Sequence, residues 1–67
     1  MENRIKEKLR TAFDAYKAEN GYEERPGDFE EILQCYEIYS ESVKEKELPE
    51  EELVEGAMTL WEVTREG

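Results

Sequence analysis

Nineteen carboxylates, nine cationic side chains, a single thiol and no histidine set the chemistry open to these 67 residues. The carboxylates are ordered. Glu37, Glu41 and Glu45 repeat at i, i+4 and i+8, with Glu30 on the same side, and Glu51, Glu55, Glu62 and Glu66 form a second series. Paired carboxylates do acid–base work only where a cleft drives their pKa values apart. With no imidazole in the chain, the usual general base is missing and nothing draws the proton from Cys35. One cysteine and no histidine also leave no zinc ligand set and no Glu-x-x-His di-iron pair. The expectation is a non-catalytic chain with no metal and no cofactor.

What such rows do well is present charge. Like charges at i, i+4 cost a helix roughly 0.2–0.5 kcal/mol per pair, and lysines at alternate positions would remove that cost. Successive carboxylates in a row lie about 6 Å apart along the axis, close to the step between phosphates on a nucleic-acid strand. A rigid helix carrying them competes for a basic, nucleic-acid-binding groove on another protein, through association that is steered by charge and weakened by salt. Ile38 falls among these polar residues and offers an apolar contact inside a charged rim. The expected partner-binding residues are Glu37, Glu41, Glu45, Ile38, Glu51, Glu55 and Glu62, and the expected partner is a protein with a basic surface. The competing reading is a solvated face that serves solubility.

Three stretches of helical period carry these residues. Ile5, Leu9, Ala12, Phe13 and Tyr16 share one face, and Asn20-Gly21 ends that helix, with Tyr22 placed to fold back toward Tyr16. Residues 21–27 form a loop. Asp28 and Glu31 stand at capping-box spacing before the face Phe29, Ile32, Leu33, Tyr36, Tyr39, Val43, with Lys44 and Lys46 in the last turn. Pro49 and the acidic run after it open a third helix with Leu53, Val54, Ala57, Met58, Leu60, Trp61 and Val63. No period-2 run of useful length suggests a strand. Helices over about 3–20, 28–46 and 49–65 predict one domain, 1–67, an all-α three-helix bundle running up, down and up. The apolar arc of the third helix exceeds half its circumference, which allows two readings. Either it is the most buried of the three, with Gly56 permitting a close crossing, or Gly56, Leu60 and Val63 pack on a second copy in a homodimer that completes a small core.

Charge and composition exclude several classes. Residues 1–20 hold five cations and four anions, residues 21–67 four and fifteen. The flank of Lys6, Arg10 and Lys17 is therefore expected to lie against acidic neighbours rather than read phosphates, since a net charge of −10 repels nucleic acid and anionic membranes alike. The longest apolar run is two residues, against about 20 for a membrane span, and no apolar stretch follows Met1-Glu2-Asn3-Arg4 to suggest a secretory signal. A lone cysteine fits a reducing cytosol, the chain's own or a host's. In size and acidity the chain is similar to small phage-encoded inhibitors of host defence or transcription, an analogy of bulk properties that transfers no residue.

Overall fold

The computed structural model describes residues 3–66. The Met1-Glu2 start of the expected signal-free segment and the side chain of Glu66 lie outside the described residues. Helix α1 covers Asn3–Asn20, α2 Asp28–Ser42 and α3 Glu50–Glu66, with a 3-10 turn at Lys44–Lys46 between the last two. The protein is an all-α three-helix bundle. Arg4 of α1 meets Glu50 of α3, and Tyr16 of α1 meets Arg65 of α3, so these two helices run parallel. Tyr39 of α2 lies on Gly56 and Asp28 on Tyr22, which sets α2 antiparallel to both.

Ile5, Leu9 and Phe13, each four residues apart, supply the buried face of α1. Ile32 and Cys35 come from α2, and Val54, Ala57, Met58 and Trp61 from α3. Trp61, only 1% exposed, joins the helices. Its ring meets Phe13, Tyr16 and Tyr22 edge-on, with centroids 5.4, 5.6 and 5.8 Å away. Edge-to-face contacts of this kind add about 0.5–1.5 kcal/mol each beyond area burial. The wide apolar arc of α3 thus serves a helix that contributes four buried side chains.

The helix ends follow local chemistry. Gly21 adopts φ 60°, and the Tyr22 amide donates to the Lys17 carbonyl (3.0 Å), a closure that brings Tyr22 back onto Tyr16. At the start of α2 the capping box does not form. Gly27, at φ 90°, precedes the helix without a side-chain cap, and the Asp28 carboxylate turns back into the loop. There it is buried and accepts from the Tyr22 hydroxyl (2.5 Å) and the Arg25 amide (2.9 Å). Closing a seven-residue loop with charge-assisted bonds outweighs capping the first-turn amides.

Helix α2 also ends four residues before the expected Lys46. The hydroxyls of Ser40 and Ser42 donate to the Glu37 and Tyr39 carbonyls (3.1 and 2.8 Å), competing with the helical ladder. Leu48 precedes a proline and is steered out of the helical region. Between them the backbone tightens to a 3-10 turn and Glu47 takes φ 50°. The Pro49 carbonyl then accepts from the Glu52 and Leu53 amides (both 3.1 Å) to open α3.

The cations of α1 meet carboxylates of the same chain. Arg4 and Lys8 reach Glu50, and Lys8 also reaches Glu51 (3.2 Å). Arg10 grips both oxygens of Glu24 (2.6 and 3.1 Å) while Lys17 donates to the same carboxylate (3.0 Å). Those donors, Arg10 first, hold the Glu24 carboxyl down at about 2, against an ordinary value of 4.5. Because the folded value is the lower, the pair contributes stability above pH 4.5 and loses it as pH falls toward 2. Glu24→Gln is therefore expected to lower the melting temperature at pH 7. Thermal melts of both proteins at pH 7 and pH 2 check this, since the difference must close at the acid end.

Candidate functional site

The outer face of α2 gathers the first group of expected residues. Glu30, Glu37 and Glu41 are all exposed, and at 100° per residue they fall within about 40° of one another. Neither Glu30 nor Glu37 has an ion pair among the described residues, whereas Glu41 accepts from Lys44 (2.9 Å). Ile38 stands beside them at 63% exposure. Glu45 leaves this row: it sits in the 3-10 turn, past the end of α2, so its i+8 register is lost. The phosphate-like row on α2 accordingly shortens to Glu37 and Glu41.

The second row faces elsewhere. Glu51 and Glu55 border a groove with Arg4, Lys8 and Thr11 of α1. Farther along, Glu55 and Glu62 border Ala12, Ala15 and Glu19. This column lies along the α1–α3 seam, so the two rows do not build one acidic wall. Lys8 partly neutralises its upper end, and its donation helps hold the Glu51 carboxyl below the usual range, after the larger effect of the Glu51 backbone amide.

The three residues expected at a dimer face share one side of α3 but differ in their surroundings. The Tyr39 ring of the same chain covers Gly56 so closely that a Cβ there would overlap its Cε2 and Cζ atoms. Leu60 packs against the core and lines the α2–α3 groove. Val63 is 63% exposed. Cys35 is buried, and burial pushes its thiol up, with the Glu31 charge adding to the effect. That state is a poor nucleophile and a well-packed small side chain.

One cluster lies beyond what periodicity reveals. Between α2 and α3 a groove of about 350 Å³ is lined by Glu31, Gln34, Cys35, Ile38, Leu60 and Arg65, among others. It adjoins a second depression, bordered by Tyr22, Asp28, Glu30, Glu31, Gln34 and Arg65. Glu31, Gln34 and Arg65 belong to both, so one continuous surface follows α2 from Asp28 toward Ile38. In its middle the Arg65 guanidinium lies over the Tyr22, Trp61 and Tyr16 rings, 4.7, 5.2 and 6.0 Å from their centroids. Its sequence traces are the i, i+4 spacing of Trp61 and Arg65 and the return of Tyr22 toward Tyr16; that the three rings meet around one guanidinium comes from tertiary packing. No protein-family model, curated protein or solved structure matches this chain.

Proposed function

We propose that this protein is a non-catalytic binding module that docks through the outer face of α2 on a basic surface of a protein partner and blocks that surface to other ligands. The observation that carries this reading is the asymmetry of its charge. Arg4, Lys8, Arg10 and Lys17 are spent on Glu50, Glu51, Glu24 and Asp14, while Glu30 and Glu37 stand uncompensated beside an isoleucine open to water. Exposed carboxylates speed and orient encounter with a cationic surface. Burying the exposed part of Ile38 adds about 1–2 kcal/mol to the docked state. Charge at the rim and an apolar contact within it is the anatomy of a protein-binding patch.

Titrating isotopically labelled protein with a capped octa-arginine peptide at low salt tests this placement. The backbone amides between Glu30 and Glu41 are expected to shift most, with an affinity that falls as salt rises. Shifts confined to the α1–α3 seam, or none at low salt, overturn it.

A further inference from the structure

The geometry points to a cation-binding aromatic cage formed by Tyr22, Trp61 and Tyr16, closed in the free protein by Arg65, whose place an arginine of the partner takes on docking. This rests on the proposed basic partner and names the seat for one of its side chains. A guanidinium within about 6 Å of a ring centroid is attracted by the negative face of the ring, and here three rings meet that condition around one group. Tyr22 is the most strongly tuned of them. Its hydroxyl donates to the buried Asp28 carboxylate (2.5 Å), which enriches the ring with electrons and strengthens its pull on a cation.

The grip on Arg65 is nonetheless light. Among the described residues its side chain donates one hydrogen bond, to the neutral Tyr16 hydroxyl (2.7 Å), and has no ion pair. It also stands in the last turn of α3, where backbone carbonyls lack helical partners and opening is cheap. The buried Trp61 Nε1 has no hydrogen-bond partner among the described residues, and a guanidinium, which has donors and no acceptor, cannot supply one. An incoming peptide brings backbone carbonyls as well as a guanidinium. Glu30 and Glu31, which border the depression beside Arg65, supply the negative rim that the arriving cation needs. The same surface continues to Ile38, so the caged arginine and the apolar contact lie on one docking track.

The test uses Trp61, the only tryptophan in the chain, as its reporter. Arg65→Ala and Lys6→Ala remove the same charge, but only the first empties the cage. A cis occupant favoured about fivefold lowers the apparent affinity of a competitor by about that factor. Arg65→Ala is therefore expected to bind the octa-arginine peptide about fivefold more tightly than Lys6→Ala, read by Trp61 fluorescence. In the unmutated protein the same titration is expected to move the Trp61 indole resonance to saturation, a readout that holds even if Arg65→Ala loses helicity. Equal affinities for the two folded variants, or an indole resonance that stays fixed while the α2 amides shift, overturn the cage and leave the α2 docking face standing. A moving indole with silent α2 amides does the reverse.

Discussion

Trp61→Ala is expected to leave most of the chain unfolded at 25 °C. Removing a fully buried tryptophan costs about 3–5 kcal/mol, through lost transfer energy and the cavity left behind. A single core in a chain this short rarely supplies more than about 3–5 kcal/mol in total. Three edge-on ring contacts go with the indole, and they join α1, the loop after it and α3. Among the described residues no other aromatic ring of α3 meets a ring of α1, and a core this small has few means of closing over the gap. Far-ultraviolet circular dichroism with urea titration measures the loss. Trp61→Phe, which keeps a ring, is expected to retain a cooperative transition. A Trp61→Ala protein that melts within a few degrees of the parent contradicts this account of the core.

Most of the architecture is legible in residue spacing. Ile5, Leu9 and Phe13 mark the inner face of α1 by their period alone, and Gly21 and Pro49 mark where the chain turns, because only certain backbone shapes suit them. The expected reversal of Tyr22 onto Tyr16 is present. Spacing is blind where a polar side chain has two good partners. Asp28 suits a cap, yet the Tyr22 hydroxyl and the Arg25 amide hold it instead, and no local pattern ranks those choices. The end of α2 is similar: Glu45 stays in register on a helical projection, but Ser40, Ser42 and the Leu48-Pro49 step end the helix before it.

Periodicity also shows which side of a helix faces inward without showing which neighbour flanks each edge. Glu51, Glu55 and Glu62 are correctly placed on one strip of α3, and only the packed bundle reveals that this strip borders α1 rather than extending the face of α2. Gly56 is read correctly as a close-approach position, and the ring that approaches is Tyr39 of the same chain. Spacing marks the pairs Trp61–Arg65 and Tyr16–Tyr22 separately but not the cage they form together, because its walls come from α1, the loop and α3.

The docking claim is tested most directly by reversing charge on one row at a time. Glu37→Lys with Glu41→Lys, and Glu55→Lys with Glu62→Lys, each add four units to a net charge of −10, so the two variants share the same overall potential. Four units of charge at about 0.5 kcal/mol each amount to about 2 kcal/mol, or roughly 30-fold in Kd, where the row makes contact. Calorimetric titration with the octa-arginine peptide, on proteins whose helicity is intact, is expected to show that loss for the α2 pair and only a few-fold loss for the α3 pair. Equal losses for both pairs mean that net charge alone governs binding, and a larger loss for the α3 pair places the site on the α1–α3 seam; either result contradicts docking through α2.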